Sequence, residues 1–121
     1  MNKILVTGGA GFVGTNLIKR LKQDYPDALI VSLDNYLTGS IHNHVPGVTY
    51  MRGDTMNSHR SLRKYTFDTV FHFGEYSRVV QSFEDIQLAT DSIMGGTPRI
   101  LELCREWNAK LIYLMVFPVQ Q

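Results

Sequence analysis

The sequence predicts an open, doubly wound α/β domain with a parallel sheet of about five strands, and three observations carry that prediction. Short apolar runs rich in β-branched residues alternate with amphipathic helical stretches, which is the pattern of strands crossing over through helices. Four of the ten glycines (Gly8, Gly9, Gly11 and Gly14) crowd into the first 14 residues, between the first strand and the first helix. The length of 121 residues fits one domain, 1–121, and falls far short of the roughly 250 residues that a closed α/β barrel needs.

The elements follow in order. Met1–Thr7 contains Ile4, Leu5 and Val6, a run expected to form a strand buried on both faces. Val13, Leu17, Ile18 and Leu21 then recur at helical spacing, Lys19, Arg20, Lys22 and Gln23 fill the other face, and Tyr25-Pro26 closes the helix. Ala28–Leu33 is the second strand, ending at Asp34. Asn35–Gly47 is polar and turn-rich and reads as a long loop. Val48–Arg52 is a third strand, Ser58–Tyr65 a weak helix, and Thr69–Phe73 a fourth strand. Ser77 to about Asp91 is expected to be helical with irregular stretches. Pro98–Trp107 places Ile100, Leu101, Leu103, Cys104 and Trp107 on one side of a helix, and Lys110–Val116 is the fifth strand.

Composition excludes several classes of function. With 12 basic against 11 acidic side chains the net charge is +1, so nothing electrostatic points to nucleic acid or an anionic membrane surface. No apolar run approaches the roughly 18–20 residues of a membrane helix, and Met1–Val6 is too short for a signal peptide. A single cysteine cannot form an internal disulfide, which suits a reducing, cytoplasmic setting.

The glycine loop carries the chemistry. Gly8, Gly11 and Gly14 are spaced G-x-x-G-x-x-G, a variant of the dinucleotide fingerprint of a Rossmann-type fold. Gly8 permits the tight turn off the strand, Gly11 lets backbone approach a pyrophosphate, and Gly14 lets the helix pack closely on the sheet. The helix N-terminus then faces the phosphates with free N–H groups and the positive end of its dipole. Asp34 lies twenty positions beyond Gly14 at the end of strand two. A carboxylate there accepts hydrogen bonds from an adenosine ribose and repels a 2′-phosphate, favouring NAD over NADP. The bland alternatives are a glycine-rich turn and a solvated loop acid. No Gly-Lys-Ser/Thr triplet occurs, which argues against nucleotide hydrolysis of the phosphate-loop type.

These residues resemble the extended short-chain dehydrogenase/reductase family, in particular the NAD-dependent sugar-nucleotide epimerases and dehydratases. The similarity spans residues 3 to about 113. Ile4-Leu5-Val6-Thr7-Gly8-Gly9-Ala10-Gly11-Phe12-Val13-Gly14 is similar to the family's opening, Asp34-Asn35 with Thr38-Gly39 to its ribose signature, and Gly53-Asp54 to its adenine signature. Phe71-His72-Phe73, continuing to Val79 and Ser82, resembles the segment bordering the pyrophosphate and nicotinamide ribose. The resemblance implies NAD as cofactor, held by Gly8, Gly11, Phe12, Val13, Gly14, Asp34, Asn35, Thr38, Gly39, Asp54, Thr55, Phe73 and Gly74.

Departures cluster at the nicotinamide end: Gly74-Glu75 where the family has two small residues, Ser77 for a lysine, Ile93 for an asparagine, and Pro98 inside the expected helix. Proline is tolerated there only in a first turn, so the helix is expected to start or restart at that point. The family's catalytic Tyr-x-x-x-Lys pair is missing. None of Tyr25, Tyr36, Tyr50, Tyr65, Tyr76 and Tyr113 has a lysine four positions on, and Leu114–Gln121 holds no serine or threonine. No residue here is therefore assigned as catalytic. The expectation is an NAD-binding domain truncated from a longer ancestor, inactive alone, taking a nucleotide sugar only if another chain completes it, and prone to self-association. The alternative is a non-catalytic nucleotide-binding or protein-interaction module.

The remaining candidates read blandly. His42, His44 and His59 are expected to be solvated rather than metal ligands, His72 structural rather than a general base, and Cys104 a core thiol. Glu75 lines the groove or is solvated, Glu84-Asp85 is a surface pair, and Arg78 a surface residue.

Overall fold

A computed structural model of the chain describes residues 1–73 and 96–113. Gly74, Glu75, Ser77, Arg78, Glu84-Asp85, the helix expected over Ser77–Asp91 and the segment after Tyr113 lie outside the described residues. The elements are β1 (Lys3–Thr7), α1 (Phe12–Asp24), β2 (Leu29–Asp34), β3 (Thr49–Arg52), α2 (Ser58–Ser61), β4 (Thr69–His72), α3 (Thr97–Trp107) and β5 (Lys110–Tyr113).

All five strands pair in parallel, in the order β3-β2-β1-β4-β5. β1 is central, which explains why its sequence carries no polar face. Ile4 and Val6 enter one core cluster with Ile18 and Leu21 of α1, Ile30 and Phe71. Leu5 enters the other, with Val31, Leu33, Leu62, Phe67, Val70 and Ile100, Leu103 and Cys104 of α3. Side chains alternate across a strand, so one uninterrupted apolar run feeds two cores. Helices thus cover both faces, as the sequence predicts.

The differences from expectation lie at flanks and ends. Val13 is 45% exposed and Leu101 48% exposed, although both fall within the apolar spacing of their helices. The residues α1 buries are Gly14, Thr15, Ile18 and Leu21, and those of α3 are Ile100, Leu103 and Cys104. A stripe this narrow leaves flanking apolar residues facing outward, Phe12 and Val13 on α1 and Leu101 on α3. The Ser58–Tyr65 helix stops at Ser61, preceded by a single 3₁₀ turn over Thr55–Asn57 that Asp54 caps. Another 3₁₀ turn, Ile41–Asn43, interrupts the long loop. Pro98 stands in the first turn of α3, where its missing N–H is harmless, and Asn108 closes that helix in a left-handed conformation.

The N-terminal strand is tied down by Asp68. Its Oδ2 accepts the N–H groups of Asn2 at 2.9 Å and Lys3 at 2.8 Å, and its Oδ1 accepts the Thr69 hydroxyl at 2.7 Å. Burial pushes the Asp68 carboxyl up, but these hydrogen bonds and the N-terminal ammonium outweigh it and hold it below its ordinary value. A carboxyl whose pKa is depressed on folding adds stability above its unfolded pKa, and that stability is lost as pH falls through the folded value. Asp68→Ala is therefore expected to destabilise the chain at pH 7 by about 1 kcal/mol. In thermal melts, the gap from the unaltered chain should close as pH is lowered below about 3.9.

Candidate functional site

In a parallel sheet the loops that leave the strand C-termini share one edge. The loops after β1, β2 and β3 lie there with Phe73 at the end of β4, and the strand order reverses between β1 and β4, the place where ligands bind in open α/β sheets. All the described candidate residues lie on these loops or at the start of α1.

The glycines of the first loop are required for different reasons. Gly8 has φ +74°, a conformation that penalises any Cβ, and its N–H bonds Leu33 O at 2.8 Å. A Cβ on Gly14 would collide with Gly8 O and lie 2.7 Å from Gly9 Cα, so only glycine lets α1 meet the loop this closely. A Cβ on Gly9 would collide with Ser32 Oγ and lie 2.8 Å from Ile18 Cδ1, a packing demand the fingerprint spacing did not reveal. Gly11 differs from all three. A Cβ there would meet only Gly8 O, at an ordinary 3.5 Å, and its φ is −83°. Among the described residues nothing requires glycine at position 11.

α1 begins immediately after Gly11, with no side-chain cap and no acidic residue in its first turn. Phe12, Val13 and Gly14 therefore present first-turn N–H groups that have no partner within the helix, at the positive end of its dipole. The Phe12 side chain is 83% exposed.

Asp34 is buried, not a solvated loop acid: it is 7% exposed. Its Oδ2 accepts the Ala10 N–H at 2.9 Å and its Oδ1 the Tyr36 N–H at 2.8 Å. Each carboxylate oxygen has two lone-pair directions, so this pairing leaves acceptor capacity on both. Gly39 passes over the same place, where a Cβ would sit 3.0 Å from Asp34 Oδ2 and 3.1 Å from Ala10 Cβ. Thr38 beside it is exposed. The Asn35 side chain accepts the Leu37 N–H at 2.9 Å, and Asp54 Oδ1 accepts the Met56 N–H at 3.1 Å. Both hold local turns, with Asp54 exposed and Thr55 buried behind it. Gly53 N–H bonds Asp34 O at 2.9 Å, fixing the β3 loop beside the β2 loop.

At the other end of the groove Phe73 N–H is bonded to Thr7 O at 3.1 Å and Thr7 Oγ1 at 2.9 Å. His72 is fully buried, with Nδ1 2.6 Å from Thr7 Oγ1, Nε2 3.1 Å from Thr97 Oγ1 and its ring stacked on Tyr113. Both nitrogens are engaged in holding β1, β4 and α3 together, the structural role. His44 departs from a merely solvated residue, because it stacks on Tyr50 at 3.7 Å and bonds the Tyr36 hydroxyl at 2.6 Å. Burial, and next the Asp34 charge, push the Tyr36 phenol up, so it stays protonated through neutral pH. Burial does the same for the Cys104 thiol in the core. Among the described residues no His, Cys, Asp or Glu group could hold a metal ion, and no helix is long and apolar enough to cross a membrane.

Residues 4–116 match the NAD dependent epimerase/dehydratase family. Among curated relatives, the chain is 30% identical to the UDP-glucose 4-epimerase of Lacticaseibacillus casei over 112 residues, covering 90% of this chain and 33% of that protein. It is 32% identical to a trifunctional UDP-glucose 4,6-dehydratase/3,5-epimerase/reductase of Arabidopsis thaliana, covering 84% of this chain and 17% of that one. The Thermus thermophilus UDP-glucose 4-epimerase, solved in complex with NAD, superposes with a TM-score of 0.79 at 32% identity, covering 90% of this chain and 36% of that one. The chain thus spans a third or less of the length of these two curated relatives.

The glycine geometry makes a graded prediction for stability. Gly14→Ala and Gly9→Ala should each destabilise by about 1–3 kcal/mol, the range for overpacked interiors. Gly11→Ala should stay within about 1 kcal/mol of the unaltered chain, because the entropy it removes from the unfolded state offsets a poorer helix cap. Denaturant melts of the three variants read this directly.

Proposed function

The chain belongs to the NAD dependent epimerase/dehydratase family, and on that premise we propose that it is the NAD-binding part of a nucleotide-sugar epimerase- or dehydratase-like protein. The observation that carries the reading is the glycine at position 11. Among the described residues nothing needs glycine there, yet it stands at the N-cap of α1 in the glycine loop, and a cradle kept open for backbone-to-phosphate approach explains it. The residues present fit the cofactor. Gly8, Gly11, Phe12, Val13 and Gly14 would seat the pyrophosphate on loop backbone and helix N–H groups. Asp34, Asn35, Thr38 and Gly39 would hold the adenosine ribose, Asp54 and Thr55 the adenine, and Phe73 the wall of the groove. Asp34's remaining lone pairs suit ribose hydroxyls, and its negative charge opposes a 2′-phosphate.

When bound, NAD supplies a hydride acceptor for a sugar carbon. Moving the sugar's hydroxyl proton needs a base of its own, and the Tyr-x-x-x-Lys pair that the family resemblance calls for does not occur in this chain. By itself the chain then binds the cofactor without turning over a nucleotide sugar. A purely protein-binding role would leave the open position at Gly11 unexplained. Exposed apolar residues such as Phe12, Leu37 and Ile41, with the edge strands β3 and β5 of the described sheet, favour self-association.

Calorimetric titration with NAD, NADP and ATP tests the reading. NAD should bind best. Gly11→Ala should weaken NAD about tenfold or more with little change in melting temperature, since it loses close phosphate contacts made by charge-assisted hydrogen bonds. Asp34→Asn should lose the preference for NAD over NADP, and unchanged preference would remove Asp34 from the ribose site. UDP-glucose added to the NAD complex should produce no NADH absorbance. Light scattering should show mass rising with concentration, and a clean monomer at high concentration would refute self-association.

A further inference from the structure

Asn43 lies in the middle of the polar loop, thirty-three residues from Ala10 in sequence, and its Nδ2 donates to Ala10 O at 2.7 Å. That carbonyl also accepts the Ser40 N–H at 3.1 Å, while the N–H of the same residue donates to Asp34 Oδ2 at 2.9 Å. Ala10 is thus gripped on both sides: by the carboxylate that ends β2 and by the loop that follows it. The loop is fastened a second time beyond Asn43. His44 stacks on Tyr50 with ring planes 6° apart and bonds the Tyr36 hydroxyl, and Tyr50's hydroxyl accepts the Val45 N–H at 2.8 Å. The Arg52 guanidinium lies 5.5 Å over the Tyr36 ring. Tyr36 itself is held at φ +60°, a conformation tyrosine rarely adopts, which lets its N–H reach Asp34 Oδ1.

We infer that Asn43 is a positioning residue for the cofactor's adenosine diphosphate half, a clasp that fixes Asp34's loop onto the glycine loop before any ligand arrives. This deepens the NAD reading and rests on it. The physical basis is preorganisation: the ribose and pyrophosphate contacts come from two different loops, and a bridge between them spares the ligand the entropy of bringing them together. Asn43 belongs to the 3₁₀ turn Ile41–Asn43 of the polar loop, outside the strands and helices that build the two cores.

The test uses the whole chain with NAD and ADP as ligands and the variants Asn43→Ala and Asn43→Asp. Asn43→Ala should weaken both ligands about five- to tenfold, the effect of one well-placed hydrogen bond, and lower the ligand-free folding equilibrium by no more than that same factor, because a bond closed without ligand also stabilises the fold. Asn43→Asp keeps the shape but sets a carboxylate against Ala10 O, so at neutral pH it should weaken binding at least as much. On acidification toward pH 5 the introduced carboxyl regains a proton it can donate, and affinity should recover relative to the unaltered chain at the same pH. Unaltered chain that binds neither ligand sinks the cofactor reading and the clasp with it. Binding by the unaltered chain with Asn43→Ala within twofold of it overturns the clasp alone, as does a loss confined to NAD, a fall in the ligand-free folding equilibrium well beyond the fold-loss in affinity, or an Asn43→Asp deficit that does not change with pH.

Discussion

A buried carboxylate must be given hydrogen-bond donors, and the way Asp34 meets that demand organises the functional edge of this molecule. At 7% exposure its charge cannot lean on water. It takes one donor from the glycine loop and one from the residue two positions on, and so welds the ends of β1 and β2 into one rim. Leaving such a group unpaired would cost roughly 1–3 kcal/mol or more, comparable to a large share of a small domain's net stability. The same bonds that satisfy Asp34 also set where its remaining lone pairs lie.

The rim stands on a sheet whose centre is β1. Because β1 is flanked on both sides and covered on both faces, the turn at Gly8 leaves the middle of the molecule with little freedom to move. His72 extends that rigidity toward α3 through Thr7 and Thr97. The end of the rim at Asp34 is held by loops bonded to one another, and the opposite end by β1, β4 and α3.

Legibility differed by kind of interaction. Strand runs such as Ile4-Leu5-Val6 and the fingerprint Gly8, Gly11 and Gly14 announce themselves because backbone geometry and burial restrict which residues can stand there. Helix flanks did not, and Val13 and Leu101 fit an apolar period yet face outward. Periodicity fixes a direction on the helix but not the width of the surface that covers it. Asn35 and Asp54 entered through the family resemblance as ribose and adenine residues, and the local turns that their side chains hold were not read from the sequence. Ala10, Ser40 and Asn43 gave no signal at all, because a backbone carbonyl is present at every position and an asparagine in a polar loop is unremarked.

What the sequence alone determined is the fold class and the order of the described elements, which follow from hydrophobic period, glycine placement and local turn chemistry, and, through the resemblance of its motifs, the family. Tertiary structure decided which glycines the packing of the described residues demands, since that depends on the atoms a Cβ would meet: at Gly9 and Gly14 it would collide, at Gly11 it would make only an ordinary contact with Gly8 O. It also decided that Asp34 is buried and bridged and that a distant asparagine closes onto Ala10. Those are contacts between segments far apart along the chain, and only folding brings their donors and acceptors within 3 Å of one another.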